Sequence, residues 1–337
     1  MIALDKRLWA LCALLAVGCN GAVANMPEVD DGADAAVGGE DAGVREDAGR
    51  DDAGRDAGRG DAGRGDAGEP TRDASADAAT ERDAGAQDAG DAGDAPATGR
   101  SEGCGMAATS DGDFAEQTVR INNTERTYNV RLPGSYDASR AYALIFRFHG
   151  YGGDGLSGGL GIEGPAGNDA IIVAPDGLNQ GWSNGSEAGD LALFDAMYEA
   201  VTTRYCVDRA RVFSYGFSMG GGFTNLLGCR RADKLRGTAA VAGFDRGTGT
   251  CARPVAAWFQ HDRNDDAVPI AQGTGARDRV IQRAHCSTST TPAGSCVSYQ
   301  GCDPGYPVVW CETTGRGHNI AGDTAPQAVW DFFRALP

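Results

Sequence analysis

The stretch Val212-Phe213-Ser214-Tyr215-Gly216-Phe217-Ser218-Met219-Gly220-Gly221-Gly222 decides how this chain is read. An apolar, β-like run leads into Gly216-Phe217-Ser218-Met219-Gly220, and a helix-like run from Phe223 to Leu227 follows. A serine hydroxyl attacks a carbonyl only when it stands clear of the backbone at a sharp turn. Gly216 and Gly220 flank that turn because side chains there would collide with the neighbouring strand and helix. The helix N-terminus behind Ser218 offers backbone N–H groups to a developing oxyanion. The strand before and the helix after set this pentapeptide apart from the ordinary glycine turns of a glycine-rich chain.

Outward from this point, strands and helices alternate. Val119–Ile121 and Thr127–Leu132 flank Asn122-Asn123 and predict an antiparallel hairpin. Ala143–Phe148 and Ile171–Ala174 read as short buried strands. Asp190 is expected to cap a helix running to Tyr205, with Phe194, Met197, Tyr198, Val201 and Tyr205 on its apolar face. Val212–Tyr215, Thr238–Ala242, Val255–Gln260 and Val308–Cys311 are further strands, and Ala325–Leu336 a closing helix. Such alternation predicts a mostly parallel sheet covered by helices on both faces. With the serine elbow in place, the expectation is an α/β-hydrolase fold.

Composition divides the 337 residues into three parts. Residues 103–337 suit one α/β domain with a sizeable core. Residues 20–102 are almost entirely Asp, Ala, Gly, Arg and Glu, with Asp-Ala-Gly recurring from Asp41 to Asp91. Calcium sites need oxygen ligands in fixed register. The repeat spacing wanders, so a disordered charged linker is expected instead. Most of the net charge of −17 sits there, so it says little about the substrate. No basic face points to nucleic acid.

Lys6 and Arg7 precede the apolar run Leu8 to Val17, so residues 1–19 read as a secretory signal, too short to span a bilayer stably. Ala16-Val17-Gly18-Cys19 resembles a bacterial lipobox, which would make Cys19 a lipidation site and the membrane contact a lipid anchor. Cleavage after Ala22-Val23-Ala24 is the alternative. Export agrees with the cysteines: Cys104, Cys206, Cys229, Cys251, Cys286, Cys296, Cys302 and Cys311 are an even set in the globular part. Zinc is the competing reading, but no Cys-x-x-Cys pair exists and histidines are few. Two bridges are expected among the four late cysteines. Cys104 then joins Cys206, Cys229 and Cys251 in the other two.

In this fold the partners of the serine follow in the order acid, then histidine. His285 and His318 follow Ser218. His285 sits beside Cys286 at the end of an expected helix, a surface or structural place. His318 lies in Gly315-Arg316-Gly317-His318-Asn319, a loop after the last strand, from which an imidazole can reach back to Ser218. Asp262, Asp265 and Asp266 follow a strand and are all candidates for the acid that orients it; spacing alone does not choose among them. Phe148-His149-Gly150-Tyr151-Gly152-Gly153 is placed to supply a second oxyanion N–H, with His149 structural.

At this point the chain resembles the polyhydroxybutyrate depolymerase and feruloyl esterase group of carbohydrate esterase family one, including its secreted bacterial members. The resemblance spans nearly all of 116–337. It rests on the Arg126–Pro133 and Phe148–Gly153 segments, Ala174-Pro175-Asp176-Gly177, Trp182, and Tyr205 through the elbow to Cys229. Ala240–Gly243, His261 to Pro269 and Gly317-His318 complete it. The family's acid loop, His-Gly-x-x-Asp-x-x-Val-Pro, falls on Asp265, with Asp262 in place of the glycine. The resemblance implies His318 as the base and the N–H groups of Tyr151 and Met219 as the oxyanion donors. It places Trp182 near the substrate cleft, although Trp182 also reads as a core aromatic. It further implies a monomeric serine carboxylic-ester hydrolase that needs no metal or organic cofactor, acting on carbohydrate-linked acyl esters. Polyhydroxybutyrate depolymerisation and a catalytically dead, tethered binding protein are the competing readings.

Overall fold

The computed structural model describes residues 99–157, 160–182, 187–246, 249–320 and 325–337. The expected signal, Cys19 and the Asp-Ala-Gly linker up to residue 98 lie outside the described residues.

Ten strands form one sheet: β1 (Phe114–Ile121), β2 (Thr124–Arg131), β3 (Tyr142–Phe148), β4 (Ala170–Pro175), β5 (Val207–Phe217), β6 (Gly237–Val241), β7 (Ala256–Asp262), β8 (Thr290–Ala293), β9 (Cys296–Tyr299) and β10 (Val308–Thr313). Their order is β1-β2-β4-β3-β5-β6-β7-β10-β9-β8. The six central strands β4, β3, β5, β6, β7 and β10 pair in parallel, and the flanking strands at both edges pair antiparallel. The helices are α1 (Glu163–Ala166), α2 (Glu187–Arg204), α3 (Met219–Arg230), α4 (Ile270–Arg283) and α5 (Ala325–Ala335). This is the expected α/β-hydrolase fold.

Of the central strands, β3, β4, β6 and β7 are buried along their whole length, as parallel strands covered on both faces must be. Alternate residues serve opposite layers. Leu144, Phe146 and Phe148 of β3 pack with Phe194 and Met197 of α2 and with Phe223 and Leu227 of α3. Ala143 and Ile145, one residue out of step, pack with Val329, Trp330 and Phe333 of α5 on the other face. The hairpin falls where the sequence placed it. Asn122 and Asn123 both hold positive φ, 48° and 66°, as a two-residue turn matching strand twist requires.

Two local features depart from the sequence reading. Asp190 does not cap α2: the helix begins earlier, at Glu187, and Asp190 is buried within it, bound to Arg126 at 3.0 Å. A tertiary ion pair with β2 claims the carboxylate that local propensity would have spent on the backbone. The β8–β9 hairpin is also new. Its four-residue strands are largely exposed and carry no buried alternation, so no periodic signal marks them.

Four disulfides join Cys104–Cys206, Cys229–Cys251, Cys286–Cys302 and Cys296–Cys311, with no bridge between the early and late groups, as expected. Cys104–Cys206 closes a loop of 102 residues, for which chain entropy alone gives about 4–5 kcal/mol. It fastens the first described segment to β5. There Ser101 donates its N–H to Val207 O at 2.9 Å and its hydroxyl to Tyr205 O at 2.6 Å.

Arg126 and Asp190 are 6% and 5% exposed at their side chains, so neither ion can be rehydrated if its partner is removed. Asp190→Ala should therefore destabilise the fold by about 3–5 kcal/mol. The double change Arg126→Met/Asp190→Leu should cost clearly less than the single one. Urea unfolding midpoints of the two variants check this; equal losses would show that packing, not the stranded charge, sets the cost.

Candidate active site

The site is built on the carboxyl ends of β3, β5, β7 and β10. At the end of β5 the backbone turns at Ser218 with φ 53° and ψ −117°, a conformation rare for a residue with a side chain. Two close approaches make the turn possible. A Cβ on Gly216 would overlap the carbonyl of Gly220, and a Cβ on Gly220 would overlap the carbonyls of Phe148 and His149. The helix is thereby drawn onto the strand it follows and onto the end of β3. Ser218 N–H continues the ladder by donating to Val241 O of β6 at 2.9 Å.

Ser218, His318 and Asp265 form one hydrogen-bonded chain. Ser218 Oγ stands 2.8 Å from His318 Nε2. His318 Nδ1 stands 2.9 and 2.8 Å from the two carboxylate oxygens of Asp265. The carboxylate accepts only, so Nδ1 carries the proton and Nε2 is left to accept from the serine hydroxyl. Of the three aspartates left open by spacing, Asp265 meets the imidazole, Asp266 is exposed, and Asp262 points to the backbone of the histidine loop. His285 lies on the surface, paired with Asp303 at 2.7 Å.

The Asp265 carboxylate is fully buried but well supplied with donors. Besides His318 it accepts the N–H groups of Ala267 and Val268 at 3.1 and 2.8 Å. His261 Nε2 donates to Val268 O at 2.7 Å and lies 3.3 Å from Asp265 Oδ2. Sequence reasoning placed His261 in the acid loop without giving it a part. Gly273 of α4 makes room for it, since a Cβ there would overlap the His261 ring. The His318 ring in turn lies over Phe217, centroids 5.0 Å apart, which limits its swing.

The loop after β3 lies against the elbow. A Cβ on Gly150 would come within 3.5 Å of Ser218 Cβ. Gly152 N–H is taken by Gln180 O at 2.9 Å and Gly153 N–H by Gly150 O at 3.3 Å. Among the described residues no hydrogen bond takes the N–H of Tyr151 or of Met219. These are the two expected oxyanion donors.

His149 underpins this loop. Its Nδ1 meets Gly150 O at 2.6 Å and its Nε2 accepts Gly177 N–H at 2.9 Å, which fixes the neutral, Nδ1-protonated ring. Burial pushes its pKa below the ordinary 6.5, in keeping with a ring that must stay uncharged. Trp182, expected near the substrate, is instead wholly enclosed. Its indole N–H donates to His149 O at 2.8 Å, its ring stacks on Phe223, and its backbone N–H points at Met219 Sδ, 3.1 Å away. It is a core prop behind the loop after β3, packed against Phe148 and Phe223.

A serine on a strained elbow, a histidine bonded to it, a buried carboxylate and two N–H groups without a partner among the described residues, all at the carboxyl edge of one mostly parallel sheet, are the parts with which an α/β-hydrolase carries out acyl transfer. Over 263 residues the chain is 34% identical to feruloyl esterase D of Neurospora crassa, covering 69% of this chain and 89% of that one. It is 32% identical over 260 residues to feruloyl esterase C of Emericella nidulans, covering 70% and 91%. The chain belongs to the feruloyl esterase family and is a carboxylic ester hydrolase. Among solved structures, acetyl xylan esterase from Aspergillus awamori superposes with a TM-score of 0.51 at 14% identity, covering 65% of this chain and 99% of that one, a likeness of fold. No protein-family profile matches the chain. These relatives are fungal, so the similarity carries the family and gives no support to a bacterial origin.

Because His149 is held neutral when folded, it contributes stability above its unfolded pKa of about 6.5, and that contribution is lost as pH falls below this value. His149→Phe should be less stable than the wild type at pH 8, with the gap narrowing between pH 6.5 and 5. Urea midpoints across this range test it; a constant gap would mean that His149 does not titrate on unfolding.

Proposed function

We propose that this chain is a secreted serine esterase of feruloyl-esterase type, releasing hydroxycinnamoyl or similar acyl groups from plant polysaccharide fragments. The observation that carries the mechanism is the unbroken chain from Ser218 Oγ through His318 to Asp265, beside two free N–H groups. Ser218 Oγ attacks the ester carbonyl while His318 Nε2 takes its proton. Asp265 holds the imidazole in the required tautomer and stabilises its protonated form. The oxyanion forms where the N–H groups of Tyr151 and Met219 converge. His318 then protonates the departing sugar alcohol, and the acyl group stays on Ser218. Water repeats the cycle, with His318 again as base, and frees the acid.

An aryl acyl group is supported by exposed apolar side chains on the loops that follow β3 and β4. Most large apolar residues of the domain are buried, yet Tyr151, Leu156 and Leu178 are 71%, 56% and 43% exposed. Tyr151 follows Gly150, which lies against Ser218, and the 2.9 Å bond from Gly152 N–H to Gln180 O draws the Leu178 segment to the same loop. An aromatic acyl chain can cover such surface. Four disulfides favour an oxidising compartment, and with the amino-terminal apolar run they support export. On this reading Cys19 is lipidated and residues 20–102 hold a monomeric domain away from the membrane, where soluble polysaccharide fragments reach it.

Ser218→Ala should lower kcat for methyl ferulate by about 10⁴-fold or more, and His318→Ala comparably, since members of such a chain act as a unit. His285→Ala should be nearly silent. A Ser218→Ala enzyme keeping a tenth of wild-type activity would overturn the assignment, as would absence of wild-type labelling by a fluorophosphonate, the outcome expected of a dead binding scaffold.

Substrate class is tested by assaying methyl ferulate, acetylated xylan and a polyhydroxybutyrate suspension side by side. Methyl ferulate should be cleaved fastest, and Tyr151→Ala should raise KM for it more than for a short acetyl ester. Clearing of the suspension without ferulate release would replace this reading with a depolymerase.

A further inference from the structure

Asp262 stands where the resemblance calls for glycine, and its carboxylate is buried without a cationic partner among the bonds it makes. Oδ1 accepts the N–H of Asn264 at 2.8 Å. Oδ2 accepts the hydroxyl of Thr313 at 2.8 Å and the N–H of Arg316 at 3.0 Å. Arg316 lies two residues before His318, so this last bond is made close to the imidazole. Burial pushes this carboxyl up, but these donors more than offset it and leave it below the usual carboxylate range.

The bonds run between two loops that must be in register for the site to exist. One follows β7 and carries Asp265; the other follows β10 and carries His318. Neighbouring contacts reinforce the same seam: Arg263 N–H donates to Thr313 O at 2.8 Å, and Gly315 N–H donates to Asn264 Oδ1 at 3.1 Å. The histidine loop has little stiffness of its own, since Gly315 and Gly317 both hold positive φ, 78° and 63°. Nothing in its own sequence would keep Nε2 within 2.8 Å of the serine. A carboxylate with several lone pairs can hold a backbone N–H group of such a loop, and a glycine at the same position cannot.

We propose that Asp262 is a positioning residue for the reaction: it clamps the backbone of the loop that carries His318, while Asp265, on the loop that follows Asp262, clamps the ring. This rests on Ser218 and His318 being the nucleophile and base. Asp262 touches neither substrate nor reacting atoms. Its loss should therefore act on kcat, through the serine–histidine distance, and leave substrate affinity in place.

The test compares Asp262→Ala, Asp262→Gly, Asp262→Asn and Thr313→Val with the wild type. Each is assayed on methyl ferulate and on a p-nitrophenyl ester, with fluorophosphonate labelling rates and urea midpoints measured alongside. Asp262→Ala and Asp262→Gly should lower kcat on the order of 10- to 100-fold, with KM nearly unchanged and labelling slowed in step, as expected for a misplaced base. Asp262→Asn, which keeps one acceptor oxygen, should recover part of the loss. Thr313→Val, which keeps the side-chain shape and removes one donor, should lower kcat a few-fold without loss of folded protein, and it decides the matter if the Asp262 variants do not fold. Labelling of the Asp262 variants at the wild-type rate, or an unchanged kcat in Thr313→Val, would overturn the proposal. Failure of the wild type itself to label would instead overturn the reading of Ser218.

Discussion

Everything at the site depends on one steric constraint: the close approach of α3 to the ends of β5 and β3. Ser218 sits at φ 53°, which costs on the order of 1–3 kcal/mol for a residue with a side chain. The turn persists because its surroundings leave no alternative. Gly216 and Gly220 meet backbone carbonyls at distances that admit no Cβ, and Phe223 wedges between Phe148 and Trp182 just below. The same packing that strains the serine sets it at the start of α3. In the proposed mechanism, strain, nucleophile exposure and anion stabilisation are thus three consequences of one approach.

The remaining groups reach the serine because parallel strands deliver all their following loops to one edge. Each loop is then fixed by a different physical device. The loop after β3 is held from beneath by neutral His149 and the indole of Trp182. The loop after β7 wraps its own N–H groups around Asp265. The loop after β10 is held by hydrogen bonds to Asp262 and by the seating of His318 on Phe217. Charge is kept sparse: the two carboxylates are anchored mainly by N–H groups, hydroxyl and imidazole. Among the described residues no guanidinium bonds to Asp265, whose partners are the His318 and His261 rings and two N–H groups.

How far the sequence could be read follows from the range of each interaction. The elbow, the Asn122-Asn123 hairpin and the buried strands were legible because glycine spacing, turn chemistry and apolar runs are local signals. His318 was legible from chain order; spacing alone left its acid open, and it took the resemblance of the acid loop to point to Asp265. The fold turns Asp265 to the imidazole, Asp262 to the loop backbone and Asp266 to solvent. Trp182 and Asp190 failed for a related reason. Each has a residue type that suits two environments, and long-range partners, Phe223 and His149 O for one and Arg126 for the other, made the choice. The β8–β9 hairpin was invisible because exposed four-residue strands leave no periodicity, yet the Cys296–Cys311 bridge ties it to β10.

That bridge bears on how the fold can carry so mobile a group as His318. The strand before the histidine loop is gripped on both sides: by β7 in parallel register from Val308 to Thr313, and by β9 through backbone pairing and the disulfide. The Cys286–Cys302 bridge joins the end of α4 to the segment leading toward β10. The covalent staples therefore lie upstream of the loop and fix where it begins, while the weaker, reversible bonds to Asp262 fix where it ends. In the proposed mechanism His318 alternates between accepting a proton from Ser218 and giving it to a leaving alcohol, which needs small excursions of its ring, not of its strand. Covalent support up to Cys311, followed by a loop held by hydrogen bonds and a ring contact, separates those two demands.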